Sequence, residues 1–232
     1  MKLSVLIPVY NEITTIEKLI NKVKSQKIKN LQIIIVDDCS TDGTKQLLKK
    51  KLYKYVDLVI YHKNNMGKGA AIKSAQKFIS GDLVIIQDAD LEYNPRDYEI
   101  LVKPIILGLS KIVYGSRVKK NKRYDSENFI SLTRIFFNHI LTIFSNFLNN
   151  QNLTDAHTCY KTFDANLFKS IILKENDFAF CPEITTKISK LNLMILERRI
   201  SYKGRSVKEG KKIGVYDGFR AIYVLLKYKF FC

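Results

Sequence analysis

Over the first 118 residues, short runs of Val, Ile and Leu alternate with stretches in which apolar residues recur every three or four positions. The runs are "LSVLIPV", "QIIIVDD", "LVIYHK", "LVIIQDAD" and "KIVYGSR", and the helical patterns cover 13–26, 44–53, 69–79 and 97–107. Strand-length runs separated by helix-length segments predict βαβ units and an α/β fold with a mostly parallel sheet. The runs are apolar at nearly every position rather than at alternate ones, so both faces of that sheet are covered by helices. In such folds ligands bind beyond the carboxyl ends of the strands. Asn11, Glu12, Asp37, Asp38, Asp88, Asp90 and Arg117 stand at those ends and therefore share one rim.

Near residue 118 the pattern changes. A basic polar stretch, "VKKNKRYDSEN", leads into "FISLTRIFFNHILTIFSNFL", whose apolar residues keep helical spacing with polar breaks at Thr133, Arg134, Asn138, His139, Ser145 and Asn146. Such a stripe serves equally as a core or partner-helix contact and as a helix lying in a membrane interface. "LTDAHTCYKTF" predicts a turn feeding a strand, "PEITTKISKLN" a helix opened by Pro182, "LMILERRISY" a strand, and "DGFRAIYVLLKYKFF" a final apolar and basic helix. With 232 residues, 46% of them hydrophobic, the chain is long enough to bury a full core in one unit. No run reaches the roughly 20 apolar residues of a membrane span, and the N-terminal apolar stretch is too short for a signal peptide, so a soluble or peripheral protein is expected.

Charge and candidate chemistry sharpen this picture. Lys and Arg number 39 against 22 Asp and Glu, a formal charge of +17, which favours an anionic partner: nucleic acid, a phosphorylated ligand or acidic lipid headgroups. Cys39, Cys159, Cys181 and Cys232 show no metal-binding spacing and suit reduced thiols in the cytosol. In "QDADLEYNP", Asp88 and Asp90 flank the small Ala89 at a strand end, where hard carboxylate oxygens suit Mg²⁺ or Mn²⁺ bound together with a diphosphate. An isolated Asp-x-Asp is more often a turn. Here it is joined by "VDDCSTDGT", in which Thr41 or Asp42 can cap a helix, and by "PVYNE", in which Tyr10 offers a ring face and Glu12 an acceptor for a base. Acids on three strand ends together describe a nucleotide-diphosphate pocket. "NNMGKGAAIKSA" lacks the spacing of a phosphate loop, so Gly67 and Gly69 are read as a tight turn with close packing.

These segments, with "YGSR", "LTDAHTCYKTF" and "ISYKGRSVKEGKKIGVYDG", stand in the order found in inverting glycosyltransferases of the GT-A fold. From about residue 3 to the C-terminus the chain resembles family 2, in the branch of dolichol-phosphate mannose synthases and bacterial polyprenyl-phosphate relatives. The resemblance implies a Rossmann-like GT-A sheet with C-terminal amphipathic helices, a nucleotide-sugar half over about 1–118 and an acceptor and membrane half over about 119–232. It implies a donor of the GDP-mannose or UDP-glucose type, a polyprenyl or dolichyl phosphate acceptor, and Mg²⁺ or Mn²⁺. By the same resemblance Pro8, Tyr10, Glu12, Val36 and Asp38 line the nucleoside site, and Asp88, Ala89 and Asp90 the diphosphate region. Asp90 and Glu92 hold the metal, with Asp88 sharing it. Arg117, Arg205 and Lys211 surround the two phosphates, and Asp155 is a functionally required acid. Relatives commonly carry Glu before "TCYK", where this chain has His157.

A lipid monophosphate is already anionic, so its attack needs cations that bring two anions together rather than a base. Arg117, Arg134, Arg205 and Lys211 suit that task. Superfamily members that glycosylate hydroxyls place a base in a Glu-Asp pair, and Glu183 after Pro182 lacks the Asp. "RVKKNKR" and "KYKFF" add attraction to anionic lipid of about 1 kcal/mol per basic side chain. Peripheral contact with the cytoplasmic face of a membrane is therefore expected through 129–148 and 217–231, with a separate anchoring subunit or a homo-oligomer as compatible partners. One alternative keeps the fold but takes a saccharide hydroxyl as acceptor. A basic nucleic-acid-binding protein is a remote alternative, because no RNA-recognition signature occurs and acids crowd the rim that a polyanion would approach.

Overall fold

The computed structural model describes residues 1–28, 30–118, 129–204 and 215–231, with side chains of the helices beginning at 129 and 215 described from 135 and 216. The first half runs β1 (Leu3–Val9), α1 (Ile16–Lys24), β2 (Leu31–Asp37), α2 (Thr44–Lys50), β3 (Leu58–Tyr61), α3 (Lys68–Gln76), β4 (Leu83–Ile86), α4 (Tyr98–Ile106) and β5 (Ile112–Ser116). After it come α5 (Phe129–Asn149), β6 (Lys161–Asp164), α6 (Ala165–Ser170), α7 (Phe180–Lys190), β7 (Leu196–Arg199) and α8 (Val215–Phe230). The expected alternation is present. The helix expected to open at Pro182 starts at Phe180 instead, with the proline in its first turn, where a missing N–H breaks no intrahelical bond.

The seven strands of the described residues share one sheet in the order β3-β2-β1-β4-β6-β5-β7. β6 runs antiparallel to both neighbours, and every other pairing is parallel. That single reversal has a functional result: the start of β6, and with it the 154–160 loop, arrives at the rim formed by the carboxyl ends of β1, β2, β4 and β5. Residues alternate between two cores. Val5, Ile7, Ile33 and Val113 face the side of α1 and α4, whereas Leu6, Ile34, Val36 and Phe163 face the side of α3 and α7. Both faces are thus buried, as the unbroken apolar runs require.

Helices α5, α7 and α8 pack against one another. The outer half of α5 is inverted relative to an ordinary amphipathic helix. Its buried stripe is polar, Thr142, Ser145 and Asn149, and its exposed stripe is Phe136, Phe137, Ile140, Ile143 and Phe147, the last 83% exposed. Hydrogen bonds hold much of the polar side: Asn146 pairs with both the N–H and the carbonyl of Leu153, the Ala156 N–H donates to Thr142 Oγ1, and Ser189 Oγ donates to the Asn149 carbonyl, while Asn149 Oδ1 is buried without a partner. Along α8, Ala221, Val224, Leu225 and Tyr228 are buried, while Tyr216, Phe219, Tyr223, Phe230 and the following Phe231 are exposed. Among the described residues no helix is long and apolar enough to cross a membrane.

Candidate active site

Three turns at the carboxyl ends of β1, β2 and β4 each contain one non-glycine residue with positive φ: Asn11 at 55°, Cys39 at 65° and Leu91 at 63°. Backbone in this region is costly for L-residues, most of all for Leu91, and persists where surrounding contacts enforce it. The first two turns are stitched together. Thr41 N–H donates to Asn11 Oδ1, Asn11 N–H to Ser40 Oγ, and Glu12 N–H to Thr44 Oγ1. The cap position of α2 is held by Gly43, without a side-chain hydrogen bond, rather than by Thr41 or Asp42; Asp42, one residue earlier, accepts from the Thr44 N–H at 3.0 Å.

Pro8 and Val36 lie opposite each other across β1 and β2; Pro8 is half-buried, but Val36 lies wholly in the core. Asp38 is 3% exposed. Its Oδ1 meets His62 Nδ1 at 2.7 Å and accepts from Met66 N–H, and its Oδ2 accepts from Gly67 N–H. A carboxylate has about four acceptor positions, and three of those of Asp38 are engaged in bracing the loop before α3. His62 in turn reaches Ser74 Oγ through Nε2 at 2.9 Å.

At the end of β4, Gln87 is clamped by the hydroxyls of Tyr98 and Tyr160, which fixes the turn that follows. Asp88 is paired with the Lys68 ammonium. The side chain of Lys68 is 9% exposed, and its Nζ also lies 2.9 Å from Cys159 Sγ. Burial alone would lower the Lys68 pKa, but the Asp88 charge raises it above its ordinary value. Asp90 Oδ1 accepts from the Glu92 N–H, and Glu92 Oε2 accepts from the Tyr202 hydroxyl at 2.7 Å. The three acids assigned to a metal are therefore not gathered into a cage. Among the described residues no group of three His, Cys, Asp or Glu side chains is placed to hold a metal ion. Mg²⁺ usually takes one or two carboxylates and completes its shell with phosphate oxygens and water, and Asp90 with Glu92 on one short turn fits that arrangement.

Opposite the acidic turn stands Arg117, just beyond β5. Its Nε donates to Asp155 Oδ2 at 2.6 Å and its Nη2 to Asp155 Oδ1 at 2.8 Å, while its backbone N–H also donates to Oδ2. Burial would raise the Asp155 carboxyl, but the Arg117 guanidinium holds it below the ordinary carboxylate range. Three of the five guanidinium N–H donors are not taken by Asp155. The guanidinium lies 5.3 Å from the Tyr202 ring centroid, so a single tyrosine touches Glu92 through its hydroxyl and Arg117 through its face. Glu197 secures the loop from below by accepting from the Thr154 and Asp155 N–H groups.

The structure thus brings Asp88, Asp90, Glu92, Arg117 and Asp155 to one rim. Arg205 and Lys211 lie outside the described residues; Arg134 belongs to α5, with its side chain outside the description. Sequence reasoning missed Lys68, His62, Tyr202 and Glu197. Lys68 carries a signal, a lysine inside "GKG"; the other three act across separations of 24 to 110 positions, which no local motif reveals. Glu183, the nearest candidate for a base, is fully buried and accepts from the Lys174 and Glu175 N–H groups and from Lys187 Nζ.

With this geometry in place, comparison with known proteins is decisive at the family level. The chain belongs to glycosyl transferase family 2, whose model matches residues 4–172, and it is accordingly a glycosyltransferase. A UDP-N-acetylglucosamine–dolichyl-phosphate N-acetylglucosaminyltransferase of Methanococcus voltae is 27% identical, the match covering 97% of this chain and 94% of that protein. A dolichyl-phosphate beta-glucosyltransferase of Trichomonas vaginalis is 30% identical, covering 86% of this chain and 65% of that protein. Glucosyl-3-phosphoglycerate synthase from Mycobacterium tuberculosis, solved in complex with Mn²⁺, UDP and glucosyl-3-phosphoglycerate, shares the fold at a TM-score of 0.67 and 17% identity, over 98% of this chain and 79% of that one. The fold is accordingly of the GT-A type.

Proposed function

We propose that this chain transfers a sugar, with inversion, from a nucleotide-diphosphate sugar to a polyprenyl phosphate at a membrane surface. The observation that carries the acceptor assignment is the inverted face of α5, which turns Phe136, Ile140, Ile143 and Phe147 outward and keeps its hydroxyl and amide groups inward. Leaving that apolar area in water costs roughly 25 cal/mol per Å², and a lipid surface removes the cost. The names of the two relatives, both acting on dolichyl phosphate, support the same reading.

The chemistry follows from charge. An oxygen of the acceptor phosphate attacks the anomeric carbon, the bond from that carbon to the donor diphosphate breaks, and its electron pair leaves with the nucleotide. No proton has to be removed, because the phosphate is already an anion near neutral pH. Arg117, oriented by Asp155, directs its remaining N–H groups to the anions and lowers the repulsion between them. Glu183 and Asp155 are each held by cations and N–H groups, which disfavours either as the base that a saccharide hydroxyl would need. A divalent cation at Asp90 and Glu92 would neutralise charge on the departing diphosphate.

The test is a panel of UDP- and GDP-linked sugars with a polyprenyl phosphate and Mn²⁺ or Mg²⁺. Lipid-linked sugar that is released by mild acid, as a glycosyl phosphate is, is the expected product; an acid-stable product would favour a hydroxyl acceptor. Asp90→Asn is expected to lower kcat/KM by about 100-fold or more, and an unchanged rate would remove the metal assignment.

A further inference from the structure

Lys68 is held more rigidly than a surface lysine that happens to meet an acid. It is the first residue of α3, and the N–H groups of Met66 and Gly67 before it are bound to Asp38. Behind it, a Cβ on Gly67 would fall 2.5 Å from the Asn176 carbonyl oxygen and one on Gly69 2.4 Å from that of Glu175. The Ala70 N–H also donates to the Asn176 carbonyl. Phe178 and Phe180 each place a ring centroid 5.9 Å from the ammonium. The backbone is thus clamped from two sides and the side chain is walled in, so the ammonium remains at Asp88.

The charge of the neighbouring turn gives this placement its meaning. Asp88, Asp90 and Glu92 lie within five residues and would together attract a divalent cation. Lys68 engages Asp88, and Tyr202 engages one oxygen of Glu92. The pair cancels the charge of Asp88, so the turn attracts a bare metal ion less, and repels a diphosphate less, than three uncompensated carboxylates would.

We propose that Lys68 is a positioning residue that withholds Asp88 from the divalent cation and draws in the donor diphosphate, so that cation and diphosphate enter together. This rests on the donor assignment made above and adds to it an order of binding. It also divides the acids: Asp90 and Glu92 meet the metal, and Asp88 serves as the seat of Lys68.

The experiment uses two probes that contain neither sugar, base nor lipid: Mn²⁺ alone, followed by the loss of its free paramagnetic resonance signal, and inorganic pyrophosphate in EDTA, followed by calorimetry. Lys68→Met is expected to bind Mn²⁺ roughly tenfold more tightly and pyrophosphate roughly tenfold more weakly than the wild type, while Lys68→Arg keeps both affinities near wild type. A purely structural lysine would weaken both together, and that result, or an unchanged Mn²⁺ affinity, would overturn the proposal. Asp88→Asn, which conserves shape, guards against misfolding of the methionine variant. It is expected to weaken Mn²⁺ binding by no more than the roughly tenfold effect of one charge and to tighten pyrophosphate binding; a much larger loss of Mn²⁺ affinity there would mean that Asp88 is already a ligand and would equally overturn the idea. A chain that passes here yet fails with every donor and lipid acceptor would lose the substrate assignment and retain the role of Lys68.

Discussion

The Nε2 atom of His157 is buried without a hydrogen-bond partner in the 154–160 loop, two residues from Asp155. Burial and the nearby Lys161 ammonium push its imidazole down to about 4 from an ordinary value of 6.5. The unfolded chain therefore binds a proton between those values that the folded chain refuses. Stability contributed by the neutral ring is complete above pH 6.5 and is lost as pH falls toward 4. Thermal melts of wild type and His157→Asn across pH 4–7 should show the wild type losing about 5 °C relative to the variant on acidification; parallel curves would mean that the ring protonates freely in the fold. The substitution for Glu at this position was legible in the sequence, but its cost was not, because the buried Lys161 four residues on became visible only when β6 carried it into the interior.

At the scale of elements, the two glycines flanking Lys68 illustrate what spacing can reveal. A tight turn with close packing was readable from "GKGAA"; the surface it packs against was not, since the 175–176 backbone lies about a hundred residues away. Gly69→Ala drives a methyl group into the Glu175 carbonyl, a backbone atom that cannot swing aside. The variant is expected to lose about 2–3 kcal/mol in urea unfolding and, because α3 must shift, to weaken nucleotide binding as well. Strands β1 to β5 were legible because their apolar cores of four to seven residues are strand-length and alternate with helix-length segments. The direction of β6 was not: "KTFD" carries no sign of polarity, and its antiparallel course depends on which gap in the sheet remains to be filled. That reversal decides whether Asp155 reaches Arg117. The site was therefore nameable residue by residue through resemblance, while the physical reason for its assembly lies in the topology.

Across the whole molecule, the exposed apolar faces of α5 and α8 and a charge of +17 fit the proposed contact with an anionic lipid surface. Phe147 and Phe231 are more than four-fifths exposed, so replacing both with Ser should leave the melting temperature within about 2 °C while lowering partition to vesicles containing anionic lipid by roughly tenfold. Retained partition would place the lipid contact elsewhere. The inverted α5 also reverses the usual rule for which positions tolerate exchange. In most helices the apolar residues are irreplaceable and the polar ones are free to vary; here a hydrophilic outer face would give a chain that folds and can be handled without detergent, whereas a leucine at Thr142 or Asn146 would release the loop that presents Asp155. The proposed lipid contact and the support of the 154–160 loop thus fall on opposite sides of one helix and can be engineered independently.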